Sequence, residues 1–301
     1  MDLNVVICTY NRSASLARTL ESIRGSCIPD HLEWELIIVD NNSDDDTRAV
    51  VERYQELCAF PVLYVKERRQ GISHARNRGI NASTGRFIAF TDDDVIVDRN
   101  WIGNIVRAFA EYDVQCIGGK ILPVWEKPKP KWLSKDLYGY IALLDYGDRP
   151  LYMEKPLLWG ANLAVKAEAF EKYGLFDTTR GRLPHKLYAG EETHFLVRLL
   201  EQGEKIVYLP DVIVHHCISK KRMRKAYFRK WNFDQGELHG MLFDDCSCGS
   251  IAGIPRFAVK SLVDSMVYFL LTCVTSNGDS FEYQRRAIYY AGFITGRLKR
   301  K

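Results

Sequence analysis

Apolar runs and helix-like segments alternate through the first third of this chain, and few folds accommodate that order. The predicted strands are residues 3–9, 34–40, 61–67 and 86–92, and the predicted helices between them are residues 13–24, 47–58 and 72–83. In the first helix Leu16, Leu20 and Ile23 share one face, which is typical of an amphipathic helix packed on a sheet. Strict alternation favours right-handed crossovers and parallel strands covered by helices. We therefore predict an α/β fold with a mostly parallel sheet.

Polar side chains fall at the carboxyl ends of these predicted strands, where open α/β sheets bind their ligands. They include Thr9, Asp40 and Asp92. An acid at the end of a second strand can accept hydrogen bonds from the ribose or base of a nucleotide. The alternative is a structural turn, because residues 43–45 suit a helix N-terminus. The first turn (CTYNRSASL) contains no G-x-G-x-x-G, which argues against a dinucleotide-binding Rossmann site.

Three consecutive aspartates, Asp92, Asp93 and Asp94, follow the fourth predicted strand. Adjacent like charges raise the energy of a site unless a positive charge offsets them. Asp92 and Asp94 point to the same side if the chain stays extended, and hard oxygen ligands suit Mg²⁺ or Mn²⁺. Since Mg²⁺ in proteins is usually completed by substrate phosphates, a metal here would indicate a phosphorylated substrate. The alternative is a solvated acidic turn with Asp92 capping a helix.

After the first third the alternation loosens, and the C-terminal part of the chain differs in composition. An amphipathic helix is predicted over residues 190–203, followed by two short strands broken by Pro210. The chain then turns basic, and after that amphipathic and helical to its end. We predict two domains, with residues 1–217 forming the α/β domain and residues 218–301 a helical extension.

Composition and charge exclude some classes of protein. The formal net charge of +4 is too small to indicate a nucleic-acid-binding protein, although residues 219–233 carry seven Lys or Arg and no acid. No signal-peptide pattern opens the sequence, and cysteines in strand-like contexts such as Cys8 and Cys116 indicate reduced thiols and a cytoplasmic setting. The C-x-C at residues 246–248 is too little for a zinc site. The longest charge-free stretch, residues 265–278, is shorter than the ~20 residues of a spanning helix, so no transmembrane segment is predicted.

Four motifs resemble, in their order and spacing, those of glycosyltransferase family 2, whose members are nucleotide-sugar-dependent enzymes of the GT-A fold. They are VVICTYNR, IVDNNS, GISHARNRGI and FTDDDV, and the resemblance extends from Asn4 to about Gly236. It implies that the following residues contact the nucleotide or the donor: Thr9, Tyr10, Asn11, Arg12, Asp40, Arg76, Asn77, Asp92 and Asp93. It also implies that Asp94 binds a divalent cation, Mn²⁺ or Mg²⁺.

The second half of the chain supplies the acceptor side of the same resemblance. WGANLAVKAEAF and GEETHFLVRLLEQG resemble the family's G-A-N element and its base-bearing helix, which assigns to the donor and acceptor pocket Gly160, Ala161, Asn162 and Glu191. The usual pair on that helix is Glu-Asp, so in this chain Glu192 takes the position of the catalytic base with one extra methylene. Glutamate can act as a general base, although a misplacement of about one ångström can cost much of the rate. As first-turn acids, Glu191 and Glu192 are also favoured by the helix dipole.

Three features of the sequence have more than one interpretation. DVIVHHC ends a strand with two histidines, and the resemblance favours His216 over His215 as a metal ligand, although a strand-end histidine is more often structural. In SKKRMRKAYFRKW, Arg222 or Arg224 could neutralise a leaving diphosphate, or the run could be a solvated face. The amphipathic segments that follow suit a membrane interface, a helical cap or a homodimer contact equally well.

The resemblance implies an inverting transfer of a sugar from a nucleoside diphosphate, with UDP expected, to a hydroxyl of a carbohydrate or lipid-linked acceptor. We expect cell-surface polysaccharide or glycoconjugate synthesis, in the cytoplasm or at the inner face of the cell membrane, without a nucleic-acid partner. A sugar nucleotidyltransferase is one alternative, but it should have a Gly-rich basic loop after the first strand, which this chain lacks. A non-catalytic nucleotide-sugar-binding protein is the other, supported only by the departure at Glu192.

Overall fold

This computed structural model describes residues 1–244, 249–251, 253–275 and 280–300, and a nine-stranded mixed sheet organises the larger part of them. The C-x-C at residues 246–248 lies outside them. The strands of the sheet are β1 (Leu3–Thr9), β2 (Trp34–Asp40), β3 (Val62–Lys66), β4 (Phe87–Asp92), β5 (Val95–Val97), β6 (Cys116–Trp125), β7 (Leu151–Tyr152), β8 (Asn162–Lys166) and β9 (Ile206–Ile218). The accompanying helices are α1 (Ser13–Arg24), α2 (Thr47–Leu57), α3 (Ile72–Ala82), α4 (Trp101–Glu111), α5 (Ala167–Tyr173) and α6 (Glu191–Glu201), with a 3₁₀ helix at Lys135–Ile141.

The first four strands are parallel and lie in the order β3-β2-β1-β4, with α1, α2 and α3 as crossovers. Helices cover this part of the sheet, so its strands are apolar almost throughout rather than alternating. Val5, Ile7 and Ile37, for example, are 0% exposed. The predicted α/β fold is confirmed. Its consequence for function is that the carboxyl ends of β1, β2 and β4 meet at one edge.

The second half of the sheet is mixed. Strand β8 is antiparallel to β4 and β6, whereas β9 is parallel to β6 and antiparallel to β5. The prediction of two short strands broken by Pro210 is wrong, because β9 is one strand of 13 residues. Proline has no N–H for the ladder, and β9 accommodates it in a bulge. Leu209 pairs with Gly119 and Ile213 pairs with Lys120, so the register skips residues 210–212.

Contacts divide the chain into two compact units. The first comprises Met1–Gly181 and Gly190–Lys220, and it contains the whole nine-stranded sheet. The second comprises Arg182–Ala189 and Lys221–Lys301. Its elements are α7 (Lys225–Leu242), β10 (Ser250–Ile251), β11 (Ile254–Pro255), α8 (Arg256–Thr275) and α9 (Ser280–Lys299). The domain boundary at residues 217–218 stays a prediction, and this division differs from it mainly by grouping Arg182–Ala189 with the C-terminal helices.

Glycines bring α7 and α9 into backbone contact inside the second unit. They are Gly236 and Gly240 on α7 and Gly292 and Gly296 on α9. A Cβ atom at any of these positions would lie 2.0 to 2.2 Å from a carbonyl oxygen of the facing helix. Because that oxygen belongs to the backbone, a larger residue fits only if the helices separate.

A buried carboxylate fastens the segment Arg182–Ala189 to these helices. Glu237 on α7 is 1% exposed and accepts hydrogen bonds from Tyr188 (2.8 Å), Lys299 (2.5 Å) and Lys186. Burial alone would raise the pKa of Glu237, but the hydrogen bonds from the two lysines and the tyrosine lower it to about 2. The carboxylate therefore stays charged, and it connects three segments of the second unit.

One helix within the described ranges, α8, is long and apolar enough by length and composition to cross a membrane. Its stretch Arg256–Val274 has a mean hydropathy of 1.6, and 11% of the stretch is buried. The expectation of no spanning segment considered only the charge-free residues 265–278, whereas the helix also includes Lys260 and Asp264. Because so little of α8 is buried, most of its apolar side chains lie outside the core of the second unit.

Candidate active site

The loops after β1 and β2 are fastened to each other at the carboxyl edge of the sheet. Asn11, with a positive φ of 51°, donates its backbone N–H to Ser43 Oγ (2.9 Å). Its Oδ1 accepts the backbone N–H of Asp44 (2.8 Å). Ser13 donates its N–H to Asp45 Oδ2 (2.9 Å). These bonds fix the two loops to which the sequence assigns nucleotide contacts, and they use the side chain of Asn11 for that purpose.

Asp40 lies at the end of β2 and is 2% exposed. Its Oδ1 accepts the backbone N–H of Ser43 (2.7 Å), and its Oδ2 accepts the hydroxyl of Tyr64 (2.6 Å). Burial, and then the hydrogen bond to Asp40, raise the pKa of Tyr64. Each carboxylate oxygen can accept a second hydrogen bond, so Asp40 keeps capacity for a ligand. Tyr64, which reaches Asp40 from the neighbouring strand β3, was not predicted, because no local pattern marks it.

Two arginines supply part of the positive charge that the three aspartates require. Arg12 Nη1 donates to Asp93 Oδ1 (2.9 Å) and to Asp94 Oδ2 (2.8 Å). Arg76 Nη2 lies 3.5 Å from Asp92 Oδ1. The sequence assigned both arginines to the donor and did not indicate that they neutralise the aspartates. Part of the counter-charge thus comes from the chain itself.

Asp93 is buried against protein groups rather than open to a ligand. It is 5% exposed, and its Oδ2 accepts the hydroxyl of Thr9 (2.8 Å). Burial raises the pKa of Asp93 to about 6, although the adjacent Arg12 guanidinium opposes the shift. Thr9 is also buried, whereas Tyr10 is half-buried and the Arg12 side chain is 41% exposed. Among the predicted nucleotide residues of this loop, Asn11 and Arg12 are therefore the more accessible.

Arg76 joins four predicted elements into one buried cluster. Its Nη1 donates to Glu191 Oε1 (2.7 Å) and lies 3.9 Å from Glu192 Oε2. Its Nη2 is the atom that lies near Asp92. Gly160 makes room for the guanidinium, because a Cβ atom there would lie 2.1 Å from Nη2. The A-R-N, D-D-D, G-A-N and Glu-Glu segments therefore converge on a single side chain.

Glu192 is the carboxylate of this cluster that has unused hydrogen-bonding capacity. It stands in the first turn of α6, directly after Glu191 and after Gly190, whose φ is 109°. Its Oε2 is buried and accepts no hydrogen bond from the described residues. Burial, and then the charge of Glu191, raise the pKa of Glu192 to about 8, although Arg76 opposes the shift. Near neutral pH the carboxyl group is therefore mostly protonated, and its pKa lies in the range useful to a general base.

His216 is paired with Asp94. Its Nε2 lies 3.1 Å from Asp94 Oδ1, and the side chain is 1% exposed. Successive side chains of β9 alternate between the two faces, so His215 points away from Asp94 and is half-buried. No group of three or more His, Cys, Asp or Glu in the described ranges is arranged to hold a metal ion. Asp94 and His216 thus form a pair of possible ligands rather than a complete cage.

Asn162, assigned by resemblance to the donor or acceptor, is fully buried and bonded to the protein. Its Nδ2 donates to the carbonyls of Lys120 and Val212, both at 2.9 Å. Its Oδ1 accepts the indole N–H of Trp101 (2.8 Å). Both donors and one of two acceptor lone pairs are used, so the geometry indicates a positioning role. Trp101 was not predicted, although a buried indole N–H always needs a partner.

Asn77 and Ala161 also contact neighbouring backbone or side-chain groups. Asn77 Nδ2 donates to the carbonyl of Phe176 (2.8 Å), and its Oδ1 accepts the Phe176 N–H (3.0 Å). The carbonyl of Ala161 accepts the hydroxyl of Thr91 (2.9 Å). Their contacts with a donor stay predictions. Arg222 and Arg224 belong to the second unit, and their roles stay predictions as well.

These basic and acidic side chains cluster at the carboxyl edge of β1, β2 and β4. Comparison of the chain with known proteins identifies the family to which it belongs. The model of Glycosyl transferase family 2 matches residues 4–174, more than half of the chain. The chain belongs to this family. The resemblance that the motifs indicated is thereby confirmed, and the protein is a glycosyltransferase.

Similar proteins cover nearly the whole chain. The succinoglycan biosynthesis protein ExoM of Rhizobium meliloti is 27% identical over 302 residues, which span 99% of this chain and 93% of that protein. The glucosyl-dolichyl phosphate glucuronosyltransferase of Haloferax volcanii is 27% identical over 240 residues, covering 78% and 75%. Among solved structures, the mannosyltransferase PcManGT of Pyrobaculum calidifontis, in complex with GDP-Man and Mn²⁺, has a TM-score of 0.63 at 19% identity and covers 99% of this chain and 86% of that chain. The last likeness establishes the fold.

Proposed function

We propose that this family 2 glycosyltransferase moves a sugar from a nucleoside diphosphate to an acceptor hydroxyl with inversion at the anomeric carbon. The observation that carries the proposal is Glu192. Its carboxyl group lies in the first turn of α6, the buried Oε2 accepts no hydrogen bond from the described residues, and its pKa is raised to about 8. Arg76 lies between this group and Asp92 on the donor side. A single displacement requires such a base beside the donor.

The nucleotide is assigned to the carboxyl edge of β1 and β2. Asp40 keeps acceptor capacity for an N–H of the base or a ribose hydroxyl. Arg12 is exposed and Tyr10 is half-buried in the loop after β1, whereas the exposed Asn11 already accepts the N–H of Asp44. UDP is the expected nucleotide, whereas the mannosyltransferase of similar fold was crystallised with GDP-Man. Binding measurements with a panel of UDP- and GDP-sugars would identify the nucleotide base that this protein prefers.

Asp94 and His216 fit a divalent cation, Mn²⁺ or Mg²⁺. A carboxylate oxygen and an imidazole nitrogen 3.1 Å apart are ligands that Mn²⁺ accepts. Such ions are usually completed by water and substrate phosphates, so a pair of protein ligands is sufficient. When bound, the cation offsets the charge that develops on the leaving diphosphate. The Mn²⁺ in the mannosyltransferase complex supports this proposal.

Glu192 accepts the proton of the acceptor hydroxyl while the hydroxyl oxygen attacks the anomeric carbon. The new carbon–oxygen bond forms on the face opposite to the diphosphate, whose bond to the sugar breaks, so the configuration inverts. Glu191 and Arg76 keep Glu192 in position, because their 2.7 Å hydrogen bond fixes the first turn of α6. Glu192 must be deprotonated before each transfer, which links turnover to pH.

The acceptor is proposed to be a carbohydrate or a lipid-linked sugar, in polysaccharide or glycoconjugate synthesis. One relative is named for succinoglycan biosynthesis, and another acts on a glucosyl-dolichyl phosphate by its name. The cytoplasmic setting and a homodimer contact stay predictions. Family membership disfavours a nucleotidyltransferase. The remaining alternative is a non-catalytic nucleotide-sugar-binding protein, and a measurement of donor hydrolysis distinguishes it from an enzyme.

The anomeric configuration of the first product tests the mechanism. Slow hydrolysis of UDP-α-glucose, UDP-α-galactose or GDP-α-mannose with Mn²⁺ should release the β-anomer first, because water then takes the place of the acceptor hydroxyl. Proton NMR during the first minutes distinguishes the anomers before mutarotation mixes them. Release of the α-anomer would contradict inversion. Donor binding without any hydrolysis or transfer would favour the non-catalytic alternative.

Arg12 should compete with the cation for the aspartates. Its guanidinium donates hydrogen bonds to Asp93 Oδ1 and Asp94 Oδ2. Arg12→Gln removes that competing charge and should tighten Mn²⁺ binding, measured by titration calorimetry or by loss of the free Mn²⁺ EPR signal, by about tenfold. Arg107→Gln is the control, since Arg107 pairs with Asp211 on the surface and the change in charge is the same. Equal or weaker Mn²⁺ binding by Arg12→Gln would contradict the competition.

A further inference from the structure

The outer side of α8 carries an apolar stripe. It consists of Val263, Val267, Leu270, Leu271 and Val274, which are 53%, 47%, 61%, 53% and 84% exposed. Their spacing of 4, 7, 8 and 11 residues from the first places them on one helical face. Ala258 and Ser265, on the opposite side of the helix, are buried. Single exposed apolar residues need no explanation, but a contiguous stripe marks a surface that is covered by something.

Basic side chains border this apolar stripe. Arg256 and Lys260 are exposed on the first turns of α8, where Lys260 also pairs with the exposed Asp264 (3.1 Å), so these three side chains leave a net positive charge. An apolar helix face with cations at its first turns complements a bilayer surface with anionic headgroups, where the apolar side chains enter the acyl boundary and the cations meet phosphates.

The packing of α9 against α8 indicates whether α8 lies on the bilayer or crosses it. The rings of Tyr268 on α8 and Tyr283 on α9 stack at 5.2 Å, so the start of α9 lies beside the last turns of α8. That start also carries Glu282 and Arg286, both exposed. If α8 crossed the bilayer together with α9, these charges would have to enter hydrocarbon, which is costly. An α8 that lies in the interface, with only its stripe inserted, avoids this cost.

We infer that the outer face of α8 is a docking surface for an anionic lipid bilayer and holds the protein at the membrane surface. The inference rests on the exposed stripe and its basic border, and it does not depend on the proposed transfer mechanism. It also gives a physical reason for a soluble catalytic unit to meet lipid-linked acceptors, since both would then be confined to the same surface.

Vesicle flotation of the full chain tests this surface. Wild-type protein should float with vesicles made of equal parts phosphatidylcholine and phosphatidylglycerol, and much less with phosphatidylcholine alone. Leu271→Glu should lower the bound fraction by about tenfold, because it removes an inserted side chain and adds a charge that anionic lipid repels. Leu57→Glu is the matched control, since Leu57 on α2 is 50% exposed and the substitution is identical. It should float like the wild type.

Three results would overturn the inference. They are wild-type protein that stays unbound, Leu271→Glu that floats as well as Leu57→Glu, and equal flotation with neutral and anionic vesicles. Light scattering on the same samples can give a fourth result that would overturn the inference. A wild-type dimer that Leu271→Glu converts into monomers, without vesicle binding, would identify the stripe as a contact between two copies. Circular dichroism should report the same helix content for both variants, and turnover of soluble donor should not change, so a failed transfer mechanism and a failed membrane surface remain distinguishable.

Discussion

Glu192→Gln should lower kcat for sugar transfer or donor hydrolysis by about 10²–10⁴-fold, because the amide cannot accept the acceptor's proton. Donor affinity should change little, since the substitution keeps the shape of the side chain and Asp40 and Arg12 are untouched. Binding is measured by titration calorimetry with the donor that turns over, and kcat by release of the nucleoside diphosphate. Glu201→Gln, at the exposed end of the same helix, is the control and should retain wild-type turnover.

The pH profile gives this prediction a second readout. Because burial and Glu191 raise the pKa of Glu192 to about 8, the free enzyme holds a proton on its base at lower pH. In the wild type kcat/KM should therefore rise about tenfold per pH unit and level off near pH 8. The residual activity of Glu192→Gln should lack this rise. Wild-type turnover in Glu192→Gln, or an unchanged profile, would assign the base to another group.

Arg76→Met should destabilise the first unit by about 3–5 kcal/mol, because it leaves Glu191 as a buried, unpaired charge. Arg76 is 5% exposed and its 2.7 Å bond to Glu191 is also buried, so water cannot replace the lost partner. Urea unfolding monitored by tryptophan fluorescence measures the loss. Donor turnover should fall as well, since Glu192 and Asp92 both lose the neighbouring guanidinium.

A double variant separates charge from packing in this prediction. Arg76→Met combined with Glu191→Gln removes the stranded charge and should regain part of the free energy of unfolding without regaining turnover. Arg48→Met is the surface control, since Arg48 pairs with Glu52 in solvent and such pairs contribute about 0–1 kcal/mol. If Arg76→Met costs no more than Arg48→Met, the buried cluster does not depend on Arg76 in the way described.

The sequence predicted the elements whose signal is local. Strand β2 and helix α1 were predicted over the residues they occupy, because a buried run and a helical period are visible in neighbouring positions. Strand β9 was missed as one element, because the bulge at residues 210–212 is defined only by its pairing with β6. Pro210 by itself predicted a break in the strand, and this prediction was wrong because the sheet accommodates the proline in a bulge.

The same limit applies to the candidate site. The motifs identified which segments converge, and Arg76, Asp92, Glu191 and Glu192 do lie together. They did not indicate that the Asn162 side chain is used by protein groups, because its bond to Trp101 joins positions 61 residues apart. Contacts of that kind depend on the register of the whole sheet. A short motif therefore predicts which residue lies in the site, but it does not predict which protein groups form hydrogen bonds with that residue.

The bulge in β9 also has a consequence for insertions and deletions. Side chains of a strand face alternate sides, so the number of looped-out residues before Ile213 sets the parity of every later position. If the loop keeps three residues, gain of one residue there would slide the remaining strand by one position, and His215 would take the place of His216 beside Asp94. We therefore expect the length of this loop to be constrained together with the position of His216.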